Sequence, residues 1–306
     1  MRYLIVGAGG TGAMIAAFMA AKGFDVTAVA RGKHLEALQT KGLLIHKANG
    51  TTLHINRINA VAQEEIGEEN FDVIFVCVKA YSIGEIVPLL QRCSTRKTAV
   101  IPVLNSMETG RRLRAELPGK LIFDGCIYIT GYISAPGEIT QNHPLFKIIY
   151  GIQGKDPEAF PIVNEINNDL QKSDILVEYS SDIYARIFEK ISFTSAFGAV
   201  GAYYHVASRE IKNQEPYHSD YHELLCELQK IQRAAGFHES GDLVERNMKL
   251  LMSMDDHFTT SMMKDMEQGH PDEREQLIFS IVRLASQYHV EVPLYLKIAK
   301  KFGFYE

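Results

Sequence analysis

The sequence predicts an α/β N-terminal domain built on a parallel sheet, followed by an all-α C-terminal domain. Three observations carry that reading. Up to Tyr179, short apolar runs alternate with helical stretches, the rhythm of parallel strands joined by crossover helices. From Ser180 onward the strand-like runs vanish and helical patterns follow one another to residue 303. The first apolar run also opens directly onto Gly7-Ala8-Gly9-Gly10-Thr11-Gly12, with helix-forming residues behind it. The domains are therefore expected at 1–179 and 180–306, with Ser180-Ser181-Asp182 offering the N-cap from which the second begins.

Arg2-Tyr3-Leu4-Ile5-Val6 is a short apolar stretch without proline and reads as a buried strand, and Ala13 to Ala20 reads as a helix. A strand, then G-x-G-x-x-G, then a helix is the context in which the motif marks a Rossmann-type dinucleotide-binding domain. Gly7 permits the tight turn, Gly9 lets the backbone approach a pyrophosphate, and Gly12 lets helix and strand pack closely. Ala8, Gly10 and Thr11 complete the loop, whose free N–H groups at the helix start face the phosphates with the favourable end of the dipole. Phe24 to Ala30 alternates as a second strand and ends at Arg31-Gly32-Lys33. A site for NAD would place a carboxylate about 20 residues beyond the glycines, on the ribose 2′-hydroxyl. Arg31 stands there instead, with Lys33 close by, and a guanidinium can pair with a 2′-phosphate, so the expected cofactor is NADP(H).

Residues 43–61 read as a hairpin turning at Asn49-Gly50. Phe71 to Val78 is almost wholly apolar, as a central parallel strand should be, and runs out at Lys79; a helix from Ser82 to about Gln91 follows. Thr98 to Leu104 is the next strand, ending at Asn105-Ser106-Met107. Ligands of an open parallel sheet sit beyond the carboxyl ends of its strands, so Gly7, Arg31, Lys79 and Asn105 are expected along one rim. Short β-like runs at 121–129, 131–134, 138–141 and 145–150, punctuated by Gly131, Pro136-Gly137 and Pro144, suggest antiparallel edge strands. A helix at about 157–172 and a strand at 175–178 close the domain.

In the second half, helices are expected at 182–197, 206–212, 215–235, 241–253, 259–268, 271–289 and 293–303, with breaks at Gly198, Gly201, Gly236, Gly241, Gly269 and Pro293. Lys190 lies among apolar residues of the first of these, and Thr194 and Gly198 fall on its face at i+4 and i+8. The methionines between Met248 and Met266 read as core.

The bulk numbers narrow the function. A chain of 306 residues with 46% apolar and 23% charged residues can bury a core without disulfides or metals. Its net charge of −5 and scattered basic residues argue against nucleic acid or a membrane surface as partner. No apolar run reaches the ~18 residues of a membrane span. Cys77, Cys93, Cys126 and Cys226 form no C-x-x-C pair, which suits inert thiols in a reducing cytoplasm. The eleven histidines show no ligand spacing, so no metal is expected.

Taken together, the GAGGTG turn, Arg31, Val78-Lys79, Asn105, Pro136-Gly137-Glu138, Lys190, Ser261-Met262-x-x-Asp265 and Glu273 resemble the ketopantoate reductase (2-dehydropantoate 2-reductase) family over essentially the whole chain. The resemblance implies a pyrophosphate on Gly7 to Gly12, a 2′-phosphate on Arg31, Lys79 along the cofactor, and Asn105 at both nicotinamide and substrate. It implies that Lys190 is the catalytic lysine that protonates the carbonyl, that Ser261 binds the substrate carboxylate, and that Glu273 contacts the cofactor and completes the polar network of the site.

The chemistry agrees with this. Hydride delivery to a ketone builds negative charge on oxygen and needs a proton donor or cation within hydrogen-bond reach. A lysine among apolar residues can supply that proton near neutral pH. The sequence also departs from the family pattern. Ser106 stands where glycine is usual, and Thr194, Gly198 and Ser208 occupy positions where reductases of ketopantoate carry substrate-binding asparagines. Those changes lower discrimination among substrates. The expected function is NADPH-dependent reduction of a small 2-oxo acid, with ketopantoate, reduced to pantoate in pantothenate biosynthesis, the leading substrate. The alternatives are a related dehydrogenase of another 2-oxo or 3-hydroxy acid or an opine-like imine, and an NADPH-binding sensor whose substrate site has decayed. A homodimer is left open.

Overall fold

The computed structural model describes residues 1–238 and 241–305; Glu239, Ser240 and Glu306, the last closing the expected second domain, lie outside the described residues. The chain divides into two compact units, Met1–Leu104 with Glu108–Ile183, and Asn105–Met107 with Tyr184–Glu306. The sequence-based boundary at 179/180 falls at the end of the last strand, and the first unit carries on to Ile183.

In the first unit, the strands β1 (Arg2–Val6), β2 (Asp25–Val29), β3 (Leu43–His46), β4 (Thr52–Ile55), β5 (Asn59–Val61), β6 (Val73–Val76), β7 (Ala99–Pro102), β8 (Leu121–Ile122), β9 (Asp124–Ala135), β10 (Glu138–Gly151) and β11 (Leu176–Tyr179) form two sheets. Six of them make an all-parallel sheet in the order β5-β2-β1-β6-β7-β8. This is the doubly wound order of a dinucleotide-binding sheet, with its reversal point between β1 and β6. Helices α1 (Gly10–Ala20), α2 (Gly32–Lys41), α3 (Ile83–Cys93), α4 (Thr109–Glu116) and α5 (Ile162–Lys172) belong to this unit. Because side chains alternate along a strand, β1 feeds two cores at once. Tyr3 and Ile5 pack with Met14, Ile15 and Leu170, whereas Leu4 and Val6 pack with Ile83, Ile86 and Leu113. Burying a side chain of this kind contributes about 1.5–3 kcal/mol. The near-continuous apolar character of α1 has the same cause, since Gly12 to Met19 are all buried.

The second sheet departs from expectation. Strands β9 and β10 are continuous over 12 and 14 residues, not four short runs. Pro144 survives because the β9–β10 register shifts between His143 and Lys147, so no ladder bond is asked of it. Nor is β10 an edge strand: it pairs antiparallel with β9 and parallel with both β3 and β11. The Asn49-Gly50 turn joins β3 and β4 as expected, with Gly50 at φ 80°, while β5 leaves the hairpin to pair with β2 in the first sheet. Helices α2 and α4 gave no sequence signal strong enough to be read.

The second unit is helical: α6 (Ile183–Tyr204), α7 (Ser208–Asn213), α8 (Tyr217–Ala235), α9 (Leu243–Ser253), α10 (Ser261–Glu267), a π-helical turn at Glu275–Phe279 continuing into α11 (Ser280–Gln287), and α12 (Pro293–Lys301). Its core is aromatic along α6, where Phe197 stacks on Phe193 and meets Phe258 and Tyr221 edge-on. Contrary to expectation, α6 does not break at Gly198 or Gly201. A Cβ on either would lie 3.0 or 2.5 Å from the side chains of Met262 or Met263, so these glycines admit α10 rather than end a helix. Met262 and Met263 are core as expected, but Met252 is 57% exposed.

Candidate active site

The glycine-rich turn lies at the carboxyl end of β1. Gly7 takes φ 99°, a left-handed value, and a Cβ there would meet Val78 at 2.8 Å. A Cβ on Gly12 would fall 2.2 Å from the Gly7 carbonyl, so helix α1 touches the turn only because Gly12 lacks one. Gly10 is equally confined, 2.4 Å from the Gly131 carbonyl of β9, a neighbour that no local sequence signal announces. Gly9 differs: a Cβ built on it has nothing within 4 Å. It is the N-cap of α1, no side chain caps the helix, and no acid lies in its first turn. Ala8 is buried and tied to β2 through its N–H to the Val29 carbonyl at 2.8 Å. Thr11 is half-buried in the first turn. An open approach at Gly9 beside uncapped helical N–H groups fits a pyrophosphate.

Arg31 is the exposed N-cap residue of α2, and its guanidinium has no hydrogen bond or ion pair with any described residue. Lys79 is half-buried, three residues past the end of β6, where a one-turn 3₁₀ helix begins.

Asn105 follows β7 by three residues but packs with the helical unit. There its Oδ1 accepts a hydrogen bond from the Lys190 Nζ of α6. Lys190 is half-buried, with the apolar Ile187, Phe188 and Ile191 around it on the helix. Thr194 lies one turn on, its hydroxyl directed back to the Lys190 carbonyl at 3.4 Å. Gly198 lies a further turn on, about 12 Å along the axis from Lys190. It is buried against Met262 and Thr260, the two residues that flank Ser261. Ser261 is exposed at the start of α10, and its hydroxyl reaches Glu273 Oε2 at 3.4 Å. Glu273 is only 3% exposed. It sits just before the π-helical turn, not on a regular helix as the expected span 271–289 implied. Such turns are rare and occur frequently at functional sites. This one is held to α6 by Ser195, whose hydroxyl donates to the Leu277 carbonyl and shares a 2.8 Å hydrogen bond with the Tyr295 hydroxyl. Burial drives the Tyr295 phenol far above its ordinary titration range, against a smaller opposing effect of Ser195, so it stays neutral. Helix α6 thus carries Lys190, Thr194 and Gly198 and anchors the segments that bear Ser261 and Glu273.

Ser208 has a different task from the substrate contact expected of it. It is fully buried; its hydroxyl donates to the Asp255 carbonyl and accepts from the Phe258 N–H at 3.2 Å, so its one proton is committed within the fold. Ser195, unremarked in the sequence, looks like any hydroxyl on an apolar helix until the π-helical turn beside it is known.

Among the described residues, no cluster of His, Cys, Asp or Glu is placed to hold a metal, and no helix is long and apolar enough to cross a membrane. Residues 3–152 match the family profile described as "Ketopantoate reductase PanE/ApbA", and residues 182–306 match "Ketopantoate reductase PanE/ApbA C terminal". The uncharacterized oxidoreductase YkpB of Bacillus subtilis (strain 168) is 25% identical over 307 residues, covering 100% of this chain and 99% of its own. The 2-dehydropantoate 2-reductase of Pyrococcus horikoshii is 25% identical over 295 residues, covering 96% of this chain and 94% of its own. Among solved structures, D-mandelate dehydrogenase with NADH and anilino(oxo)acetate superposes with a TM-score of 0.86 at 18% identity, over 98% of this chain and 96% of that one. With both halves of the chain matched and the dinucleotide turn in place, the protein belongs to the ketopantoate reductase family and is an oxidoreductase that uses a nicotinamide dinucleotide.

Proposed function

We propose that the protein reduces a small 2-oxo acid with NADPH, with 2-dehydropantoate the leading substrate. The observation that carries this is the Lys190–Asn105 hydrogen bond, by which a neutral amide orients a half-buried ammonium. Gly7 to Gly12 would hold the pyrophosphate, Arg31 the 2′-phosphate, and Lys79 the cofactor's flank. The bound cofactor supplies the hydride. Lys190 gives a proton to the substrate's carbonyl oxygen as that oxygen becomes an alkoxide, and takes one back from water. Asn105 holds the ammonium in line and offers its amide N–H to the substrate. Ser261, whose single hydroxyl proton points to Glu273 in the free protein, would turn that proton to the substrate carboxylate on binding.

A second reading rests on Gly198. That position offers no donor, and a larger side chain would press on the Met262 methyl at 3.0 Å. A site lacking that donor recognises fewer oxygens, which favours a 2-oxo acid without the extra hydroxyl of ketopantoate. The test is a panel of 2-oxo acids, aryl acids included, followed by loss of NADPH absorbance. Turnover of ketopantoate above the others supports the first reading; turnover of another acid with ketopantoate inert supports the second. Tight NADPH binding with no turnover of any acid overturns both.

A further inference from the structure

The glycine-rich turn contains a peptide whose orientation matters more than any side chain in it. Across a trans peptide the C=O and the N–H point in opposite directions and rotate as one plane. In the Ala8–Gly9 unit, whatever holds the Ala8 carbonyl therefore aims the Gly9 N–H. Gly9 is the residue with open space before it.

His34, the third residue of α2, lies where it can do this. Its Nδ1 accepts the Gly137 N–H at 3.1 Å, at the β9–β10 turn. Gly137 sits at φ 79° with its Cα face against Ala37 of α2, and its carbonyl accepts the Leu44 N–H at 2.9 Å, so the turn is fixed on that helix. A ring nitrogen that accepts carries no proton, so the neutral imidazole has its proton on Nε2. That Nε2 is buried and has no hydrogen-bond partner. Burial holds the ring below its ordinary titration range, keeping it neutral, and the nearby Ala8 backbone acts in the opposite sense, as a carbonyl facing a ring N–H does.

We infer that His34 is a positioning residue for the cofactor turn: anchored on Gly137 through Nδ1, it engages the Ala8 carbonyl through Nε2–H and so aims the Gly9 N–H at the pyrophosphate. The inference rests on the reading of Gly7 to Gly12 as the pyrophosphate turn. An orphaned buried donor beside an unclaimed carbonyl is completed when the turn tightens on its ligand, and the hydrogen bond then formed adds to affinity. Because the pyrophosphate is common to both nicotinamide dinucleotides, the effect is blind to the 2′-phosphate.

The experiment measures dissociation constants of NADPH and NADH by calorimetry for the wild type, His34→Asn and His34→Gln, with thermal midpoints for each. Asn keeps an acceptor near the Nδ1 position and loses Nε2; Gln places an amide N–H near Nε2. The expected result is weaker binding of both dinucleotides by His34→Asn, roughly three- to tenfold, with His34→Gln recovering most of it. Wild-type affinity in both variants overturns the inference, and so does a loss confined to NADPH, which would mean a direct contact with the 2′-phosphate. If the wild type binds neither dinucleotide, the reading of the turn itself fails and the inference falls with it. Should His34→Asn not fold, ring ¹⁵N spectra of the wild type decide: an Nε2 proton that exchanges slowly only with NADPH bound supports the inference, and an Nδ1-protonated ring overturns it.

Discussion

The Lys190 ammonium donates its hydrogen bond to the side-chain oxygen of Asn105, a residue 85 positions earlier that packs with the helical unit although the strand before it belongs to the other. In the proposed reaction this arrangement separates two roles, with the lysine carrying the proton and the amide the aim. Lys190→Ala should lower kcat by about 10²–10⁴ while leaving NADPH affinity nearly unchanged. Asn105→Ala should cost less, about ten- to a hundredfold, as expected for one hydrogen bond to a charged group. Single-turnover rates and NADPH titrations check both. A Lys190→Ala enzyme with normal turnover would remove the lysine from the mechanism.

The glycines of the turn are not equivalent, and two substitutions should show it. Gly9→Ala adds a methyl to open space and should keep the wild-type melting temperature, yet weaken NADPH at least about tenfold by filling the pyrophosphate's approach. Gly12→Ala drives a methyl to within 2.2 Å of the Gly7 carbonyl and should destabilise the fold by about 1–3 kcal/mol or more. Thermal melts and NADPH titrations on the same preparations distinguish the two. Equal loss of stability in both variants would contradict the close packing at Gly12 alone.

Arg31 has no partner among the described residues to keep it occupied, so its contribution should appear only with a ligand. Arg31→Ala is expected to weaken NADPH about ten- to a hundredfold, the value of a charge-assisted pair, and NADH much less. Equal losses for the two cofactors would take the guanidinium off the 2′-phosphate.

Local patterns were legible in the sequence, and distant pairings were not. The β1–turn–α1 unit, the parallel strands and the succession of helices can be read because apolar periodicity and glycine spacing lie within a few residues of one another. The union of β3, β10 and β11 in a second sheet cannot, because it pairs segments some 95 and 30 residues apart through backbone bonds that carry no sequence signature. The same limit governs the site. Lys190 stands out as a lysine on an apolar helix face, whereas the task of Ser208 depends on Asp255 and Phe258, which only the fold brings to it. Gly198 and Gly201 read as breaks because glycine lowers helix propensity by about 1 kcal/mol, yet the packing of Met262 and Met263 outweighs that cost.

One buried acid gives the helical unit a pH dependence that can be measured apart from catalysis. Glu227 of α8 is fully buried, and its carboxylate accepts the Leu294 and Tyr295 N–H groups at 2.8 and 2.9 Å, capping α12 behind Pro293. Burial raises its pKa, and the two N–H groups pull it down by less. An acid whose folded pKa is raised binds its proton more tightly in the folded state. The stability it adds is therefore complete below the unfolded value, near ~4.3, and is lost as pH rises through the folded value. Glu227→Ala strands two helix-start donors and should cost about 2–3 kcal/mol in mild acid, with the gap to wild type narrowing toward neutral pH. Urea unfolding of both proteins at several pH values checks this. A gap that widens as pH rises would show that the two N–H groups outweigh burial, and that Glu227 holds α12 chiefly as an anion.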